Sequence, residues 1–162
     1  MLTIRPAEPP DAALIAAFVR ELAAYEHLEH EAVATDADVA AALFGPSLRA
    51  ACDIAEWDGE PAGFALWFYN FSTFRGRHGI YLEDLYVRPA HRGRGIGKAL
   101  LTSLARRCVR EGLGRLEWAV LDWNAPSIAF YESLGARPMA DWTVYRLQDE
   151  ALADLGRQDA RG

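Results

Sequence analysis

Residues Arg92-Gly93-Arg94-Gly95-Ile96-Gly97-Lys98 stand between a strand-like run, Ile80 to Val87, and a helix-like one, Gly95 to Glu111. The three glycines alternate, so the backbone can turn tightly there and present its N–H groups with no side chain in the way. The helix that follows adds the positive end of its dipole. Strand, glycine turn and helix N-terminus together predict a cradle for a phosphate-type anion. Arg92, Arg94 and Lys98, the chain's only lysine, put full positive charge around it.

Several phosphate-binding loops share that logic, and the letters separate them. A P-loop needs GxxxxGK[ST]; counting back from Gly97-Lys98 puts Arg92 at the first glycine, and Ala99 stands where the magnesium-binding hydroxyl belongs. A dinucleotide fingerprint GxGxxG fails at Lys98 if it starts at Gly93, and at Leu100 if it starts at Gly95. The pattern (Gln/Arg)-x-x-Gly-x-(Gly/Ala) does fit, as Arg92, Gly95 and Gly97. It resembles the pyrophosphate-binding signature of the GNAT superfamily of acyl-CoA-dependent N-acetyltransferases. Three further stretches are similar to the diamine (spermidine/spermine) and thialysine branch: Glu21-Leu22-Ala23-Ala24-Tyr25-Glu26, Tyr81-Leu82-Glu83-Asp84-Leu85-Tyr86-Val87, and Trp123-Asn124-Ala125-Pro126-Ser127-Ile128-Ala129-Phe130-Tyr131. The resemblance runs from about Ile4 to Leu147.

Composition agrees with such an enzyme. The chain has 162 residues, half of them apolar and a quarter charged, which predicts one soluble globular domain. Residues 1–150 form that domain, and 151–162 read as a frayed C-terminal tail. No apolar run approaches the ~20 residues of a membrane span, and the N-terminus lacks a signal-peptide pattern, so a cytoplasmic location is expected. A net charge of −6 argues against nucleic-acid binding and suits a cationic partner. Cys52 and Cys108 fall at core positions of a strand and a helix, outside any CxxC pair. His27 and His30 flank Glu29 at a helix end with no third partner, so no metal site is predicted.

Around the glycine loop, the patterning gives an α/β chain in the order β-α-α-β-β-β-α-β-α-β. Pro9-Pro10-Asp11 opens a helix with Leu14, Ile15, Phe18, Val19 and Leu22 on one face. Thr35 and Asp38 form a capping box for a second helix, stopped by Gly45-Pro46. Asp58-Gly59 joins the strands Ala50–Trp57 and Pro61–Phe71 in a hairpin. Ser72–Gly79 reads as a polar loop and Leu116–Leu121 as a strand. Asn124-Ala125-Pro126 starts a helix ending at Gly135, and Val144–Leu147 is a last strand.

The resemblance implies a GNAT fold with a central, mixed, splayed sheet flanked by helices, and a homodimer. It implies that the backbone of Leu85, Tyr86 and Val87 pairs with pantetheine. The N–H groups of Gly93, Arg94, Gly95, Ile96, Gly97 and Lys98 would hold the pyrophosphate, and Asn124 and Ser127 would contact coenzyme A. Tyr131 matches the proton donor. A tyrosine near pKa 10 lies about 1.5 units above a thiol, a mismatch of roughly 2 kcal/mol, which suits that role. Glu83 matches the residue that faces the amine. A glutamate near 4.3 facing an ammonium near 10.4 is mismatched by roughly 8 kcal/mol, so Glu83 is expected to bind and orient the cation, or to act as base through water. Asp84 counts among the acids of the substrate site, although without a bulge it would face the opposite side from Glu83 and be structural or distal. Tyr25 and Glu26 would hold a second ammonium.

Where the polyamine branch commonly has paired acidic residues before its last strand, this chain offers only Asp141. A shorter acidic lining favours a small diamine or a lysine-like amine such as thialysine. Two other readings follow from the same loop: acetylation of a protein amine, and a non-catalytic module that senses acetyl-CoA. The intact Tyr131 speaks against the second.

Overall fold

The structure, a computed structural model, describes residues 1–158. The chain forms two compact units, Met1–Leu121 and the residues from Asp122 on.

In the first unit, five strands make one mixed sheet in the order β1-β2-β3-β4-β5. They are β1 (Leu2–Pro6), β2 (Ala51–Trp57), β3 (Glu60–Ser72), β4 (Arg77–Val87) and β5 (Leu116–Trp118). The first four pair antiparallel, and β5 joins β4 in parallel. Asp58 and Gly59 have φ of 52° and 84°, the left-handed pair that a two-residue hairpin turn requires. Gly63 has a different task. A Cβ there would lie 2.4 Å from the Tyr86 carbonyl oxygen, so glycine lets β3 approach β4 where the site is built.

Helices α1 (Ala12–Tyr25) and α2 (Asp36–Phe44) cover one face of the sheet. Ile15 and Phe18 of α1 are fully buried among Cys52, Ile54, Phe64 and Tyr86, with Phe18 stacked on Phe64 at 5.2 Å. Burial of each such side chain stabilises the fold by about 1.5–3 kcal/mol. The Thr35–Asp38 capping box forms in both directions. Helix α3 (Ile96–Glu111) packs on the other face through Ile96, Leu100, Leu101, Leu104 and Cys108, and Gly112 closes it in the left-handed region. Both cysteines are buried and unpaired.

The second unit contains α4 (Ala125–Ser133) and α5 (Asp149–Arg157). No described helix is long and apolar enough to cross a membrane.

Four expectations need correction. The Ser72–Gly79 loop shrinks to a turn, because Phe71 and Ser72 pair with His78 and Arg77 and lengthen both strands. Strand β5 stops at Trp118 rather than Leu121. The Val144–Leu147 run is not a strand: it has no ladder partner among the described residues, and its side chains are exposed. Alternation alone does not make a strand without an edge to pair with. Of the tail expected to fray, residues 151–157 belong to α5, with Asp149 and Glu150 in its first turn and Arg157 in its last, the arrangement the helix dipole favours, while residues 159–162 lie outside the described residues.

Candidate active site

The site begins with a miscount in β4. Leu66 of β3 faces Asp84, yet the next residue, Trp67, faces Leu82. Glu83 is therefore the extra residue of a β-bulge. Before it, Ile80 and Leu82 share the side of Trp67, whose ring lies under Arg107 of α3. After it, Asp84 and Tyr86 share the side of Leu66 and Phe64, which is the α1 face. An unbroken strand would keep Leu82 and Asp84 on one side. The bulge turns Asp84 over toward α1 and leaves Glu83 exposed at the crest.

The C-terminal turn of α1 meets this stretch. Arg88, just past β4, holds Glu21 through Nε at 3.1 Å and Nη2 at 2.8 Å, and its guanidinium lies over the Phe18 ring at 4.6 Å. That fork pins α1 one turn before Tyr25 and Glu26. Glu26 caps the helix and is partly buried, which raises its carboxyl above the usual range. Asp84 is raised further, to about 6, first by burial and then by the like charges of Glu83 and Glu26. Three carboxylates thus share one patch. Like charges in a partly dry site favour protonation or the arrival of a cation.

On its other side, β4 pairs with β5 only over Ile80–Leu82. Leu85, Tyr86 and Val87 therefore have no β5 partner, an open edge of the kind the splayed sheet was expected to show. Beyond them comes the glycine loop. Gly93 and Gly95 both have φ of 76°, and no atom lies within 4 Å of where a Cβ would stand on either. Gly95 is the N-cap of α3. The cradle is open, conformationally reserved for glycine, and set at a helix N-terminus, so it fits a pyrophosphate. Its arginines also have partners of their own. Arg92 donates from Nε to the Val87 carbonyl at 2.9 Å and lies over the rings of Tyr25 (4.9 Å) and Tyr86 (5.7 Å). Arg94 lies over Trp57 at 5.0 Å. Arg92 therefore ties the loop to α1 and β4.

In the second unit, Asn124 is buried and caps α4, accepting from the Ser127 backbone N–H at 3.4 Å. Pro126 follows within the first turn. Tyr131 is half-buried beside Phe130 at 5.4 Å. Asp141 is exposed in the segment between α4 and α5.

The structure brings Tyr25, Glu26, Glu83, Asp84 and the open edge Leu85–Val87 to one end of β4, within the first unit. Sequence reading kept Asp84 among the acids of the substrate site but on the side away from Glu83 in an even strand, and here its carboxyl is raised the furthest of the group. No local signal marks the bulge, since it depends on the register of β3.

The family model described as the acetyltransferase (GNAT) family matches residues 14–136. The chain is 36% identical over 163 residues to a thialysine N-epsilon-acetyltransferase of Bos taurus, covering 94% of this chain and 95% of the relative. It is 32% identical over 199 residues to an L-ornithine N5-acetyltransferase of Arabidopsis thaliana, covering 95% and 87%. Among solved structures, an integron cassette protein of Vibrio cholerae superposes with a TM-score of 0.82 at 24% identity, covering 97% of this chain and 98% of that one, a likeness of fold. A family model over most of the length, joined by relatives above 30% identity from end to end, leaves one conclusion: the chain belongs to the GNAT family and is an acetyltransferase enzyme.

Proposed function

We propose that the enzyme transfers the acetyl group of acetyl-CoA to a primary amine of a small diamine or lysine-like, thialysine-type compound. The observation that carries this reading is the carboxylate patch of Glu26, Glu83 and Asp84 beside an open phosphate cradle. The similarity to thialysine and ornithine acetyltransferases supports the substrate class.

Acetyl-CoA, once bound, supplies an acyl thioester. The N–H groups of residues 93–98 hold its pyrophosphate, and the free edge at Leu85, Tyr86 and Val87 pairs with the pantetheine amides. One N–H of that edge stabilises the oxyanion formed at the thioester carbonyl. Asn124 and Ser127 add contacts to coenzyme A by resemblance. Glu83, exposed at the crest of the bulge, orients the ammonium, and Tyr25 with Glu26 receives a second cationic group. Asp141 adds to the acidic lining.

Asp84 is the better base. An ammonium near 10.4 against a carboxyl at about 6 leaves a gap worth about 6 kcal/mol, against about 8 for an unperturbed glutamate. A water between Asp84 and the amine lets it take the proton. Tyr131, on the family's proton-donor position, gives its proton to the leaving thiolate. This reading includes a cytoplasmic location and a homodimer, and a mass measurement in solution checks the second.

The test is release of thiol from acetyl-CoA, measured against polyamines, amino acids and peptides. Turnover with thialysine, ornithine or short diamines is expected. Turnover with peptides alone would favour acetylation of a protein amine, and binding of acetyl-CoA without turnover on any amine would favour a sensor.

A further inference from the structure

Helix α1 is anchored in the core only along its first half. Ile15, Ala16 and Phe18 are buried, and no residue from Val19 to Tyr25 is. Leu22 and Tyr25 rest half-buried on the margin of the core. The end of this helix nevertheless carries Tyr25 and Glu26, the groups given to the second ammonium. Apolar burial alone does not set where they stand.

Two polar rungs do. Glu21 and Tyr25 are four residues apart, hence on one side of α1 and about 6 Å from each other along its axis. Arg88 and Arg92 are also four apart, at the two ends of the short helical turn Pro89–His91 that follows β4. Arg88 meets Glu21, and Arg92 meets the Tyr25 ring. The first rung is held from several directions. Besides its fork on Glu21, Arg88 donates from Nη1 to the Pro61 carbonyl at 3.1 Å, and its backbone N–H donates to the Ala62 carbonyl at 2.9 Å. Glu21 is thereby tied through one side chain to the start of β3 and the end of β4. A charge-assisted fork fixes direction as well as distance. Both side chains are only about one-third exposed, so water competes less than at an open surface pair.

Glu83 and Asp84 sit on β4 itself, near enough to the helix tip that the charge of Glu26 is felt at Asp84. The sheet therefore receives one ammonium and the helix tip the other. Arg88 and Glu21 belong to neither group, yet their bond sets the span between the two. A fixed span discriminates. Misplacing a reacting group by about 1 Å can cost about 10²-fold, and one methylene too many or too few costs about tenfold or more.

We propose that Arg88 and Glu21 are positioning residues that gauge the length of the diamine, by holding Tyr25 and Glu26 at a set distance from Glu83 and Asp84; the inference rests on the diamine reading above.

The experiment is a profile of kcat/KM over α,ω-diamines of increasing chain length, with a simple alkylamine that has no second ammonium as control. The wild-type enzyme is expected to prefer one length over its neighbours by about tenfold. Arg88→Met keeps the stem and Glu21→Gln keeps the shape, and each removes one charge of the fork. Both are expected to flatten the preference to within about threefold, through a higher KM for the best diamine, while the alkylamine stays within about twofold. Arg88→Lys retains one charged bond and should recover part of the preference. Glu21→Gln is a mild change at a half-exposed position, and it decides the matter if Arg88→Met does not fold. An unchanged profile in Glu21→Gln overturns the proposal. So does an equal loss on diamines and alkylamine, the mark of a general structural role. Calorimetric binding of the same diamines to the coenzyme A complex separates the gauge from the reaction. A length preference in binding without turnover keeps the gauge and strikes acyl transfer. Turnover of diamines with no length preference in the wild type strikes the gauge and keeps the transfer, and neither binding nor turnover of any diamine strikes both.

Discussion

Asp53 and Asp84 stand two strands apart in one sheet, on opposite faces, and burial raises the carboxyl of both. Their company differs. Asp53 accepts from the Trp67 indole N–H at 3.1 Å, and the Arg107 guanidinium over that ring pulls its pKa back down. Asp84 has the opposite surroundings, with Glu83 and Glu26 pushing it further up. A buried carboxylate with a donor and a nearby cation is a structural fixture. One whose strongest charged neighbours are also acidic is arranged for something that arrives from outside.

The widest separation is expected in activity. Asp84→Asn keeps the shape and removes the proposed base, so kcat/KM should fall by about 10²–10³, while Asp53→Asn stays within about threefold. Equal losses in steady-state assays would dissolve the distinction. Tyr131→Phe is expected to lower kcat by about 10² with little change in KM for the amine, since it removes help to the leaving group only. A wild-type rate in that variant, with chemistry rate-limiting, would take the proton donor away from Tyr131.

Smaller effects sharpen the contrast. Glu26→Gln and Glu83→Gln each remove a cation contact, and KM for a diamine should rise about tenfold while kcat changes less. A kcat effect equal to that of Asp84→Asn would move the base elsewhere in the patch.

Stability should move the other way. The folded carboxyl of Asp84 titrates near 6 and the unfolded one near 3.9, so the folded protein binds more protons between these values. Its stability contribution is full below pH 4 and is lost as pH rises through 6. Asp84→Asn escapes that loss. Urea unfolding at pH 8 should show it more stable than wild type by on the order of 1–2 kcal/mol, with no difference at pH 4. A variant less stable than wild type at pH 8 would mean that the charge of Asp84 is satisfied in the resting protein.

Much of this was legible in the sequence. The glycine loop could be identified because only certain spacings let a backbone receive pyrophosphate, and Gly93 and Gly95 take the left-handed conformation that spacing implies. The hairpin at Asp58-Gly59 and the Thr35 cap are local chemistry and came out as read. The face on which Asp84 lies was not legible. Tyr81-Leu82-Glu83-Asp84-Leu85 reads as an even strand, and what breaks it is a mismatch with β3 some fifteen residues away in sequence. The segment Val144–Leu147 failed for the complementary reason, because its alternation is local and a strand is a relation between two segments. The helix α5 had a signal in Leu152 and Leu155, three apart behind an acidic first turn, hidden by its place at the end of the chain.

The bulge at Glu83 also bears on how such a site can change. Substitution alters what a position carries, whereas the bulge adds a position to the strand while the register with β3 keeps Asp84 opposite Leu66. Deleting the codon for Glu83 would let Asp84 follow Leu82 directly in an even strand, still opposite Leu66 on the α1 face, so the buried acid would keep its side and only the exposed carboxylate at the crest would be lost. Point mutation can tune the acidity of this patch step by step. A change of reading length adds or removes the crest itself, and a one-residue insertion in an even strand is a short route by which a sheet could gain an extra exposed acid beside a buried one without turning over the residues that follow.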